Sequence, residues 1–179
     1  LARRSNVTPK TLYDQFGSKD KLLLVAIEER FRHTYDAIDS ESVEKGIDKL
    51  FFVIEAVCEI SEQNINYARA IWTLHTSSSG NLDLFVGIRK ATYFNALHQI
   101  GDEGDILPWV NLEIMVDAMY RVISGLYSSW FSGASGTVGL EFGELREMLK
   151  LHACHVLVAY TGGKTHEKAL AIIKASQTD

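Results

Sequence analysis

The stretch Leu1-Ala2-Arg3-Arg4-Ser5-Asn6-Val7-Thr8-Pro9-Lys10-Thr11-Leu12-Tyr13-Asp14-Gln15-Phe16-Gly17-Ser18-Lys19-Asp20-Lys21-Leu22-Leu23 is the most informative part of the chain. Leu1 to Arg4 reads as the inside of a helix. Asn6-Val7-Thr8 is a short turn. Thr8 then stands as an N-cap, with Pro9 at the first helical position, where its missing N–H costs nothing. The spacing predicts a helix of about two turns over 9–16. Gly17 stops it, Ser18 caps the next helix, and Asp20 sits near that helix's positive end. Two short helices joined by a tight turn, with basic and hydroxyl residues on the second, are the pattern of a helix-turn-helix that enters the major groove.

The chemistry of the second helix fits that pattern. Its N-terminus offers free N–H groups and a positive dipole end to a phosphate. Thr8, Lys10, Thr11 and Tyr13 place donors on its first turns. Leu12 and Phe16, four apart, lie on the other side and anchor the helix to its own domain.

Working outward, the 179 residues carry a formal net charge of -5, which taken as a sum points away from nucleic acid. Its distribution points the other way. Residues 1–22 hold five basic and two acidic residues, net +3, and the remainder holds 13 and 21, net -8. A basic head before an acidic body suggests that only one end meets a polyanion. The hydrophobic content of 46% excludes global disorder. No run of about 18 apolar residues marks a membrane span. Cys58 and Cys154 are too few for a disulfide scaffold and read as small buried hydrophobes in a reducing, cytoplasmic setting. No signal-peptide pattern opens the chain.

Two prolines and few alternating β-branched residues leave an all-α fold. Beyond the first 23 residues, turn residues divide the chain into expected helices over 19–38, 43–63, 67–76, 82–100, 108–131, 140–160 and 165–176. Domain limits are expected at 1–35 for the DNA-binding unit and 36–179 for a helical ligand-binding and dimerisation unit.

The first 23 residues resemble the signature segment of the TetR family of transcriptional regulators. The resemblance is carried by Leu1-Ala2, Val7-Thr8, Thr11-Leu12-Tyr13-x-x-Phe16 and Ser18-Lys19-x-x-Leu22-Leu23. Asn6 stands where the family often has Gly, a change that Asn tolerates because it accepts left-handed geometry. The family's first helix is expected upstream of Leu1 and is missing from the chain. The resemblance implies DNA contacts at Thr8, Pro9, Lys10, Thr11, Tyr13 and Lys19. Of these, Thr8, Tyr13 and Lys19 sort to phosphate, and Lys10 and Thr11 to base edges. It also implies a homodimer on a palindromic double-stranded operator, and a small-molecule effector pocket in the body.

Pocket residues have no family motif. The aromatic and Met residues of the middle helices, read as an apolar site with a few polar tips, give Trp72, Tyr93, His98, Met119 and Tyr120 as candidates for a small apolar or aromatic effector. The helices over 108–131 and 140–160 are apolar over so wide an arc that each is expected to be buried on two sides, one against a second subunit. His152 and His155 share a face of one helix, but Cys154 points about 100° from His155 and no acidic third ligand follows, so neither a metal site nor a nucleophile is expected. Gly133 to Gly139 lacks the Lys-Ser/Thr of a phosphate loop. Glu141, Glu144 and Glu147 read as a solvated face. Without a convergent acid–base set, no enzyme and no cofactor are expected. The combined reading is a ligand-responsive repressor. The alternative is a helical small-molecule-binding or interaction protein that does not bind DNA in this form.

Overall fold

The computed structural model describes residues 45–76, 82–133 and 139–177, together with single positions between 14 and 36. Among these, secondary structure is helical apart from one isolated antiparallel bridge, Ile106 to Thr161. The all-α expectation holds. No described helix is long and apolar enough to cross a membrane. Most of the expected DNA-binding unit lies outside the described residues. Gly17 has φ of +76°, the left-handed geometry that suits a glycine ending a helix.

Six helices follow: α1 (Gly46–Gln63), α2 (Ile65–Thr76), α3 (Leu82–Asp102), α4 (Leu112–Ser132), α5 (Phe142–Tyr160) and α6 (Gly163–Ala175). In α1, Ile47, Leu50, Val53, Ile54, Val57 and Cys58 recur at helical spacing, and all six are buried. They meet Tyr93, Ala96, Leu97 and Ile100 of α3, the inner stripe of α4, and Leu145, Leu149, Ala153 and Leu157 of α5 in one continuous core. α1 thus lies centrally, packed against α3 and α5, while α2 packs chiefly against α1 and α4.

Helix limits follow local chemistry. The helix expected from Pro108 starts at Leu112, because the Asn111 side chain accepts the N–H groups of Glu113 (2.8 Å) and Ile114 (3.4 Å). Gly133, at φ +65°, ends it in the left-handed conformation expected of a helix-terminating glycine. The α5 start carries Glu144, whose carboxylate accepts the Glu141 N–H at 2.8 Å. Glu141 and Glu144 are exposed, as is Glu147, which pairs with Lys150.

Gly162 and Gly163 separate α5 from α6. Gly163 has φ of +55°, and a Cβ there would stand 2.1 Å from Asp105 Oδ1. Asp105, in the loop between α3 and α4, caps α6: its Oδ2 accepts the Thr165 N–H at 2.7 Å. Its backbone carbonyl accepts the Gly162 N–H, also at 2.7 Å, and Leu107 donates to the Tyr160 carbonyl. A loop read in sequence only as a break is therefore a brace. Lys168 of α6 also pairs with Asp48 of α1.

Candidate ligand site in the helical bundle

The six residues singled out for DNA contact, Thr8, Pro9, Lys10, Thr11, Tyr13 and Lys19, lie outside the described residues. The five pocket candidates are described. Trp72, Tyr93, Met119 and Tyr120 are buried and belong to the same core. His98 stands apart from them: it is exposed, with its Nδ1 3.1 Å from the Asp102 carboxylate one turn on. Tyr120 meets the surface at its edge, where Lys90 Nζ lies 5.6 Å from the ring centroid. Lys90 and Arg121 both donate to Asp117. The hydrogen bond from Lys90, then that from Arg121, lowers the Asp117 carboxyl below its usual range.

The helices build an aromatic stack around Trp72. Its ring lies 5.5 Å from Tyr127 at an interplanar angle of 17°, and 5.9 Å from Phe131. Tyr127 and Phe131, four apart on α4, are themselves stacked at 6.3 Å. Trp130 meets Phe131 edge-on and packs on Phe142, and its Nε1 donates to the Leu140 carbonyl at 2.9 Å. That bond holds the α4 end against the start of α5.

Polar groups also enter this apolar region. Cys58 Sγ lies 2.9 Å from Tyr127 Oη, a buried hydrogen bond between α1 and α4. Burial pushes the Cys58 thiol up, outweighing the lowering contributions of Tyr127, Arg146 and Lys150. Arg146 and Lys150 reach in from α5. Lys150 pairs with Glu55 of α1 and Glu147. Arg146 pairs with Glu62, with Nη2 3.6 Å from Oε2, and also lies close enough to interact with the Cys58 thiol. Ser124 Oγ, one turn before Tyr127, is buried with no hydrogen-bond partner among the described residues.

The His152 and His155 rings lie 5.8 Å apart, while Cys154 is turned into the core. Cys154 is fully buried, and burial pushes its thiol up to about 11. The two histidines direct Nδ1 to the carbonyls of Met148 and Leu151 at 2.9 Å each, so each Nδ1 carries the proton. Among the described residues, no three His, Cys, Asp or Glu side chains are grouped to hold a metal.

Sequence reasoning placed Tyr127 among the aromatic residues of the middle helices. It did not connect Tyr127 with Cys58, Phe131 and Arg146. The i,i+4 spacing of Tyr127 and Phe131 was visible, but the partners on α1 and α5 are set by interhelical packing. The arrangement brings stacked aromatic rings, a phenol, a thiol and a guanidinium together at the meeting of four helices. In comparisons with family models, curated proteins and solved structures, the chain has no match.

Proposed function

We propose that this chain is a ligand-responsive transcriptional regulator, a repressor that binds a palindromic operator as a homodimer and is released by a small aromatic or apolar effector. The observation that carries the reading is the sequence from Leu1 to Leu23, whose pattern predicts two short helices with an N-cap at Thr8-Pro9 and which supplies donors at Lys10, Thr11, Tyr13 and Lys19. The concentration of positive charge in that segment supports it, because phosphate contact needs a local basic surface and not a basic protein. The buried aromatic stack with polar tips supports an effector site in the body.

Dimerisation is proposed through α4 and α5. Their inner stripes fill the core, while Ala118, Val122 and Leu126 of α4 and Leu151 and Val158 of α5 remain only partly buried. Gly125 is exposed between them and permits close approach of a second helix. Two reading heads held roughly 34 Å apart would contact successive major grooves on one face of DNA. Release requires that the effector bind more tightly to a dimer whose spacing does not fit the operator.

The test is selection of bound duplexes from a random DNA pool, followed by fluorescence anisotropy on the enriched sequence. Enrichment of an inverted repeat bound by two chains supports the reading. A pool that stays random, with no saturable binding at low salt, overturns it. It would leave the alternative of a ligand-binding or interaction protein without DNA-binding activity.

A further inference from the structure

The outward side of α5 carries two imidazoles prepared alike. His152 and His155 are three apart and share a face of the helix, with ring centroids 5.8 Å apart. His155 is exposed and His152 half-buried. Each directs Nδ1 to the carbonyl four residues back, of Met148 and Leu151, at 2.9 Å. A carbonyl only accepts, so Nδ1 holds the proton and Nε2 the lone pair. Neither Nε2 bonds to another described residue. A histidine that ligates a metal through one nitrogen characteristically donates the other N–H to such a carbonyl, which fixes the tautomer and makes the ligating nitrogen more basic. Two imidazoles on one tetrahedral ion, with metal–nitrogen bonds of about 2.1 Å, have ring centroids about 5 Å apart. The pair is thus within about 1 Å of closing on a single ion.

Two nitrogens are half of a tetrahedral site. The rest of the helix face offers no further ligand, since Met148, Leu151, Val158 and Ala159 around the pair carry no charge and no side-chain oxygen, and Glu147 pairs with Lys150. The uncharged stripe is suited to packing on its own copy, and a two-fold axis beside it would bring in the same two nitrogens again. We propose that His152 and His155, with the same pair of a second copy, form a four-imidazole site for a divalent metal ion of the zinc type. The inference rests on the reading of α4 and α5 as the dimer face. The third ligand that the sequence of one chain lacks is supplied by the second copy. Imidazole ligands favour zinc, nickel and copper over magnesium and calcium. Four protein ligands leave no open position, so the ion ties two chains together and does not activate water.

The test is titration of the whole chain, first stripped with a chelator, with Co2+ as the probe and Zn2+ as the competitor. Tetrahedral Co2+ absorbs strongly in the visible and octahedral Co2+ weakly, so the spectrum reports the geometry. One Co2+ per two chains, with the strong tetrahedral band, is expected, and Zn2+ should erase the band. Zn2+ should also shift sedimentation toward the dimer. His155→Gln, at an exposed position, should weaken Co2+ binding by at least the loss seen when a mere supporting partner is removed, about ten-fold or more, and should abolish the zinc-dependent shift. His152→Gln should do the same, with helicity checked by circular dichroism. Because stoichiometry and spectrum are read on the unaltered chain, they decide the matter even if a variant fails to fold. One Co2+ per chain, a weak octahedral spectrum, no binding, or unchanged binding in His155→Gln overturns the proposal. A DNA readout separates the regulator reading. A dimer that selects an inverted repeat but gives no cobalt band leaves the regulator and removes the metal site. A tetrahedral ion shared by two chains that select no DNA leaves the metal site and removes the regulator.

Discussion

Asp105 and Thr165 are 60 residues apart in sequence, yet the Asp105 carboxylate accepts the Thr165 N–H at 2.7 Å and so caps a helix to which it does not belong. The same carboxylate stands where a side chain on Gly163 would have to go. The α3–α4 loop and the α5–α6 corner are thereby fixed to each other, with the Ile106–Thr161 bridge alongside.

Asp105→Ala should lower stability by about 1–2 kcal/mol, the usual cost of a lost N-cap. Gly163→Ala should cost at least as much, because its positive φ alone costs a residue with a Cβ roughly 1–2 kcal/mol, before the clash with Asp105. Removing the Asp105 carboxylate relieves the clash, so the double variant should lose less than the sum of the two single losses. Urea unfolding of the four proteins checks this. Strict additivity would show that the carboxylate and the glycine do not interact.

The thiols should be silent in the folded protein. Both Cys58 and Cys154 are fully buried, and burial raises both above the ordinary thiol value of 9.0, Cys154 to about 11. A raised thiol value means that the fold favours the protonated form. The resulting stability is fully present below pH 9 and is lost as pH rises from 9 through 11. Ellman's reagent at pH 8 should find no fast-reacting thiol in native protein and two in urea. Rapid labelling of native protein would contradict the packing.

Trp72→Ala should destabilise by about 3–5 kcal/mol, since it removes the ring that Tyr127 and Phe131 both stack on and leaves a cavity. Tyr127→Phe keeps the stack and removes the hydroxyl that partners Cys58, so about 0.5–1.5 kcal/mol is expected. Thermal or chemical unfolding should rank Trp72→Ala well below Tyr127→Phe. The reverse order would mean that the thiol–phenol bond outweighs the aromatic packing.

Lys19→Ala should weaken binding to every duplex by a similar factor and reduce the slope of log affinity against log salt by about one unit. Lys10→Ala, at a proposed base contact, should instead narrow the gap between operator and random DNA. Anisotropy titrations at several salt concentrations measure both. An unchanged slope in Lys19→Ala would remove that residue from the phosphate contacts.

The chain's local chemistry made much of the body's architecture legible. The i,i+3,i+4 repeat of Ile47, Leu50, Ile54, Val57 and Cys58 specifies a helix and its buried side without any partner. Gly133 announces the end of α4 because left-handed geometry favours glycine. The sequence reading starts α4 four residues early. Pro108 is a plausible first helical residue, and only the bond from the Asn111 side chain selects the later start.

His98 shows where local pattern runs out. It sits in an aromatic neighbourhood in sequence, but the rotation of α3 turns it to the surface beside Asp102, while Tyr93 and Leu97 face inward. The reading of a DNA-contacting head is a property of the sequence alone, since it rests on residue types at fixed local spacing between Leu1 and Leu23. The meeting of Cys58, Trp72, Tyr127 and Arg146 was decided only by tertiary structure. Those residues come from four helices, and the packing angles that bring them together depend on the whole core and not on any one segment.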